Sequence, residues 1–588
     1  MKIRGVSFYK RLQKPGFLNK PGFSCLPHKK LIFCKERKII PNMLHTTNVA
    51  KYLDRMNNYS QFDVAILGTG FSGSILGAVL AKHGYKVLLI DEKEHPRFAI
   101  GEATIPQTTM MMRAIADRYG IPEIRECSTF EGMHKHVTSH CGVKTNFGFV
   151  YQREGKDHNP QEVTQNIIPH LLVGYDAHWF RQEFDAYLMT VAIKYGASVR
   201  QNTHIIDLEI NESKVFLKSD NGDEFYARYL VDSTGFKSIL AKRFDLRESP
   251  CRFKTHSRSL FNHFIGVKPY DECVNSPEVW DVPQSWHDGT MHHLFPGGWM
   301  WIIPFNNHAN SNSNLCSVGL SLDTRIFPKT DINPQEEFDS FLAKFPGIAP
   351  QFENAKPVRE WVSTDRLQYS SKRCVGDRFC LTAQAAGTID ALFSRGMANT
   401  VDGIYALADV LIKALKDDDF SGARFEYIDQ LQQRLLDYND RLVHCSYIAF
   451  SDFALWNAWY RVWSFGGLLN VFRIKKMQDK YAETGDLSYL SGLENPRYLG
   501  SLCPDLQRYE ELFEAAASAV EAVGEGKLSS TTAAEKILSL FDQPDFIPPR
   551  FEFNSAARHF NCKFDVDDIE TLLDWGKSAM DEVKQLCF

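Results

Sequence analysis

A chain of 588 residues, 44% hydrophobic and 24% charged, has ordinary globular composition and enough length for one large core or two. Its formal net charge of -5 excludes the broad basic face on which a nucleic-acid binder depends. Thirteen scattered cysteines with no C-x-x-C pair fit neither a zinc site nor a secreted disulfide framework, which points to reduced thiols in a cytoplasmic setting, and no apolar run is long enough for a membrane span.

Residues 1–58 differ from the rest. Up to Ile40 they carry many lysines and arginines, among them Lys2, Arg4, Lys29, Lys30 and Lys38, against one acid, Glu36. Without an apolar stretch this is no secretory signal; it reads as a disordered tail, with an organelle-targeting segment as the alternative.

The globular part begins near Gln61. Asp63-Val64-Ala65-Ile66-Leu67 is a short apolar run suited to a buried parallel strand. Gly68-Thr69-Gly70-Phe71-Ser72-Gly73 follows, then an apolar-periodic helix to about Lys82, then Lys86–Ile90 as a second strand closed by Asp91. The order strand, G-x-G-x-x-G, helix, strand, acid is that of a dinucleotide-binding unit. Gly68 permits the tight turn, Gly70 lets backbone approach a pyrophosphate, and Gly73 lets helix and strand pack closely. Asp91 is placed to accept from ribose hydroxyls, and the helix N-terminus turns its free N–H groups towards phosphate. At this point FAD and NAD both remain open.

Farther on, Trp179–Tyr195 reads as a helix with Phe180, Phe184, Leu188 and Val191 on one stripe. Leu208–Val231 alternates as strands do, with Asn221-Gly222 as a hairpin turn. Arg252–Leu322 is aromatic and strand-like, an expected antiparallel sheet flooring a pocket, broken by the Asn/Ser-rich loop 306–314. From Asp402 the pattern is helical. These readings divide the chain into a leader (1–58), a catalytic region of α/β class (59–420) and a helical C-terminal lid or layer (421–588).

Several motifs carry a family resemblance. Asp232-Ser233-Thr234-Gly235, and Ala383–Gly387 followed by Arg395-Gly396-Met397, resemble the second and third cofactor contacts of flavin monooxygenase-type folds, which favours FAD. Gly101-Glu102-Ala103-Thr104-Ile105-Pro106 and Trp299-Met300-Trp301-Ile302-Ile303-Pro304 resemble the G-E-A-T-I-P and W-x-W-x-I-P signatures of flavin-dependent halogenases, over roughly Gln61 to Asp409.

The resemblance implies a Rossmann-like FAD domain with cofactor contacts at Gly68, Gly70, Phe71, Ser72, Gly73, Asp91, Arg97, Ile100, Arg181, Asp232 and Gln384. It implies that reduced FAD and oxygen convert chloride to hypochlorous acid. Trp299, Trp301 and Pro304 then form a barrier that keeps organic substrate off the flavin. The halide site is made by backbone N–H groups at Ser394, Arg395 and Gly396, at a turn entering a helix. The lysine that receives hypochlorous acid is Lys144, in Lys144-Thr145-Asn146-Phe147-Gly148-Phe149, with Lys135 as the competing choice. Thr388 and Ala391 depart from the usual Phe and Pro, and Gln384 from a common Asp.

Phe393, where tryptophan-type enzymes carry a carboxylate, favours a freely diffusing phenolic substrate. The absence of a second G-x-G-x-x-G implies a separate flavin reductase. Two alternatives share the fold: an FAD-dependent aromatic hydroxylase, and a non-catalytic or prenyl reductase-like flavoprotein. The run Trp456, Trp459, Tyr460, Trp463, Phe465 reads as core, as a roof over an aromatic pocket, or as a membrane-surface stripe.

Overall fold

The computed structural model describes residues 61–274, 282–494 and 496–587; the basic leader lies outside them. Strand β1 (Gln61–Leu67) is apolar and buried over its second half, Val64 to Leu67, because both faces are covered there. Val64 and Ile66 enter the core under the first helix (Phe71–Lys82), while Ala65 and Leu67 enter the core on the opposite face. Strands β2 (Val87–Ile90) and β7 (Ser198–Arg200) extend the parallel sheet on one side, and β10 (Glu224–Asp232) and β18 (Phe379–Leu381) extend it on the other. In register, Leu67 lies beside both Ile90 and Asp232, so three strands end together. Ligands bind beyond such carboxyl ends in open α/β sheets.

Between β7 and β10 the chain makes two turns. Strands β8 (Ile205–Ile210) and β9 (Val215–Ser219) pair antiparallel, and β9 then pairs with the start of β10. The β9–β10 turn is the Asn221-Gly222 hairpin. The β8–β9 turn contains neither glycine nor proline and is held by Asn211, whose side chain accepts from the Ser213 and Lys214 amides.

The second sheet is mainly antiparallel. Its centre is β11 (Ser257–Ile265), β14 (Leu315–Asp323), β13 (Gly298–Pro304) and β12 (Thr290–Phe295). Strand β4 (Asn146–Tyr151) enters parallel to β12, which brings the segment after Lys144 into the same sheet. Alternation divides β13 between two cores. Trp299, Trp301 and Ile303 face inward, whereas Met300 and Ile302 pack towards Phe338 and Phe341 of the outer helix Pro334–Lys344. Trp301 lies across the sheet only because its register partner is Gly319: a Cβ there would sit 2.2 Å from the indole. A separate two-stranded ladder pairs β3 (Gly142–Lys144) with β6 (Asp176–His178).

The C-terminal helices share the inward core of this second sheet. Trp456, Trp459, Tyr460, Trp463 and Phe465, in the helix Phe453–Thr484, are all buried. The Trp463 ring stands 5.1 Å from that of Phe147 and 4.7 Å from that of Phe393, and Trp456 stands 5.1 Å from Phe149. The run is therefore core. Arg461 gives it no basic surface either: its guanidinium is buried and donates to Asn457 and to the Phe553 carbonyl. Among the described residues no helix is long and apolar enough to cross a membrane.

Candidate active site

A cavity of about 1500 Å³ runs from the carboxyl ends of the parallel strands to the inward face of the second sheet. Pockets for a drug-sized ligand occupy roughly 300–1000 Å³, so this one has room for a dinucleotide and a second molecule.

Its first end is built by the glycine turn. Gly68 has φ +98°, and a Cβ there would meet the Ser233 carbonyl at 2.8 Å; a Cβ on Gly73 would meet the Gly68 carbonyl at 2.0 Å. Gly70, Phe71 and Ser72 line the cavity, and the helix they open has neither a side-chain cap nor an acid in its first turn. Such an end favours an anion. Asp91 also lines this end. Burial would raise its pKa, but the Arg97 guanidinium at 2.8 Å and the Thr69 and Lys93 amides hold it below the usual carboxylate range. The buried Nε of Arg97 has no protein partner, a donor left for a bound group.

At the middle, a second helix N-terminus faces in. Ser394 (φ +54°) precedes the helix Arg395–Asp417, which again lacks a side-chain cap and a first-turn acid. Ser394, Gly396 and Gln384 line the cavity here, and Ala383 before Gln384 is likewise held at positive φ, +52°. Left-handed backbone at non-glycine residues is concentrated at functional loops. Uncapped helix ends, the glycine cradle and the unpaired Arg97 donor fit FAD.

At the far end the lining becomes aromatic. Trp299 and Trp301 both line the cavity, their rings 5.6 Å apart, with Phe261 beside Trp301. Lys144 lies one layer behind this end and does not reach the cavity surface. It is fully buried; Nζ donates to the Thr104 carbonyl at 2.7 Å and sits 3.5 Å from the centre of the Phe147 ring. Burial pushes its pKa well below the ordinary lysine value, opposed by Asp176. Lys135, by contrast, is exposed on the short helix Phe130–His136.

Residues 61–330 match the family described as FAD binding domain. The chain is 51% identical over 535 residues to monodechloroaminopyrrolnitrin halogenase PrnC of Pseudomonas fluorescens, covering 90% of this chain and 94% of that one. The chain belongs to the flavin-dependent halogenases. A second relative, tetracycline 7-halogenase of Kitasatospora aureofaciens, is 44% identical, with 85% of this chain and 90% of that one covered. The crystal structure of halogenase PltM in complex with phloroglucinol and FAD superposes with a TM-score of 0.82 at 33% identity, covering 85% of this chain and all of that chain.

Within this halogenase several residues expected at the cofactor or the halide act from outside the cavity. Asp232 does not line it: its carboxylate accepts from the Thr234 amide and hydroxyl and from the Ser238 hydroxyl, fixing the Ser233–Gly235 turn that does. Gly73 serves packing alone. Arg181 and Ile100 line the wall, but Arg181 is taken up by Asp185 and by the Ile100 and Gly101 carbonyls, so it holds the G-E-A-T-I-P turn in place. Arg395 is expected to serve the halide through its backbone N–H, and its side chain takes no part in the lining. The helix turns its side chain away from the cavity into the C-terminal core, where it neighbours Tyr438 and Asp402 with Nε and one terminal nitrogen unpaired. Pro304 also stays outside the lining; its carbonyl accepts from His178.

Other residues come forward. Asp390, in the loop before the helix Arg395–Asp417, accepts from Ser257 at 2.6 Å, Ser321 at 2.7 Å and Tyr447 at 3.0 Å, tying the loop to β11, β14 and a C-terminal helix. Glu102 is held 2.7 Å from His263 Nε2, both buried. His292 lines the aromatic end. Glu102 carried a signal, as the one acid of its motif; the histidines and serines carried none beyond alternation.

Proposed function

We propose that this halogenase chlorinates an electron-rich, phenol-like aromatic and that Lys144 presents the oxidised halide to it. Bound FAD, in its reduced form and with oxygen, supplies the oxidation of chloride to hypochlorous acid; a separate flavin reductase provides the reduced cofactor. The protein's part is separation and delivery. Trp299 and Trp301, in the lining of the aromatic end, are the bulky indoles that keep an organic ring from the flavin. Lys144 turns from the Thr104 carbonyl to hydrogen-bond hypochlorous acid. The aromatic carbon then gains chlorine as the O–Cl bond breaks, and the ring proton leaves with the hydroxide as water.

One observation carries the phenolic reading: among the described residues, no carboxylate lining the aromatic end is unspent. Asp390 already accepts from Ser257, Ser321 and Tyr447, and Glu102 is paired with His263. Phe393 is packed on Trp463. A substrate here must bring its own activation, as a hydroxyl-bearing ring does.

The test supplies FAD, a flavin reductase, NADPH, oxygen and chloride or bromide to a phenol panel and reads mass and isotope pattern. Halide-dependent mass gain is expected, and Lys144→Ala should oxidise reduced flavin yet give no halogenated carbon. Hydroxylated product that ignores halide would instead indicate an aromatic hydroxylase.

A further inference from the structure

We infer that His292 receives the substrate's own ring hydroxyl, acting as a neutral hydrogen-bond acceptor at the aromatic end of the cavity. This rests on the phenolic reading and adds the group that recognises the phenol.

Alternation along β12 selects the residue. Thr290 and His292 line the cavity, while Met291 packs in the outer core and His293 is spent between Gln152 and Gln351. His178, the other histidine near Lys144, is also spent: Nδ1 faces the Pro304 carbonyl at 2.8 Å and Nε2 the Thr290 hydroxyl at 2.9 Å. His292 differs. Its Nδ1 is 3.0 Å from the Gly148 carbonyl, which can only accept, so the ring proton is on Nδ1. Burial drives its pKa to about 3 against the pull of the Gly148 and Thr290 carbonyls, with the Lys144 charge also opposing protonation. At neutral pH Nε2 therefore carries a lone pair.

The ring is held in place. Phe149 stacks on it at 4.6 Å and Phe147 at 5.8 Å, and Trp299 lies 5.5 Å away. The Trp299 Nε1–H is buried without a partner. His292 thus offers the cavity an acceptor set among aromatic rings. A hydroxyl can donate to it; a methyl ether has no proton to give and leaves the His292 lone pair unmet. The Phe147 ring that stacks on His292 is the one over which Lys144 sits, so the recognised hydroxyl and the delivering ammonium share one aromatic stack.

The experiment measures binding of phloroglucinol and of 1,3,5-trimethoxybenzene to the FAD-loaded enzyme by calorimetry. The wild type should bind the phenol about tenfold or more tightly than the ether, the scale of one buried hydrogen bond. His292→Phe should weaken phenol binding by about the same factor and leave ether binding within about twofold, and His292→Asn, which keeps an acceptor, should recover part of the loss. Equal binding of phenol and ether by the wild type, a comparison that needs no variant, would overturn the assignment, as would full discrimination in His292→Phe. Failure of every phenol to bind would instead remove the phenolic reading and this inference with it.

Discussion

Lys144 and Asp176 are direct register partners across the β3–β6 ladder, and both are buried. Burial lifts the Asp176 pKa to about 6, against the lowering pull of Lys144, the Thr109 hydroxyl and Arg113. Asp176 in return supports the charge on Lys144. It touches neither cavity nor substrate, so its role is positional.

Asp176→Asn should therefore lower the proton affinity of Lys144 further. The limb of the halogenation pH profile that reports Lys144 should move to lower pH by about one unit, the scale of one nearby opposite charge. The pH profile of flavin oxidation should stay where it is. A Lys144 limb that does not move would detach Asp176 from the lysine.

Asp91→Asn removes the charge that Arg97 and the Thr69 turn are arranged around. FAD affinity, read by quenching of flavin fluorescence, should fall by about 10- to 100-fold, the range for a charged hydrogen-bond partner. Thermal stability without cofactor should change less, since the Gly68 and Gly73 packing is untouched.

Gly319→Ala would place a methyl 2.2 Å from the Trp301 indole and 2.5 Å from the Phe261 Cβ. Overpacking of this kind costs about 1–3 kcal/mol. The denaturation midpoint should fall, and displacement of Trp301 should lower the yield of halogenated product per flavin oxidised.

Arg395→Met tests whether the Arg395 side chain, as distinct from its backbone N–H, serves the halide. A buried guanidinium with two unpaired nitrogens is a desolvated charge, and an apolar side chain of similar length should leave stability equal or higher. The halide KM should stay within about twofold, because a side chain outside the cavity makes no contact whose loss would weaken binding. A tenfold rise would return Arg395 to the halide.

The β-α-β unit was legible because its signals are local: an apolar run, three spaced glycines and a closing acid lie within about thirty residues. The two tryptophans were legible for a similar reason, since alternation along one strand fixes their common face. The direction of the Arg395 side chain was not legible, because its neighbours Gly396 and Ser394 face the cavity and only the helical turn decides where the residue between them points. Asp390 and His292 depend on partners more than fifty residues away, Ser257, Ser321 and Tyr447 for one and Gly148 for the other. No spacing rule reaches that far. The depth of Lys144 was legible only through the family pattern, because a lysine near a strand end is ordinarily solvated.

The aromatic seam between Trp456, Trp463 and the rings of Phe147, Phe149 and Phe393 bears on how such enzymes could be recombined. Grafting the last third of a relative onto this chain would exchange half of a jigsaw whose other half stays behind in β4 and in the loop that carries Phe393. A chimera that transplants the helices without those three phenylalanines should emerge insoluble or loosely packed, however faithfully its cofactor motif is kept.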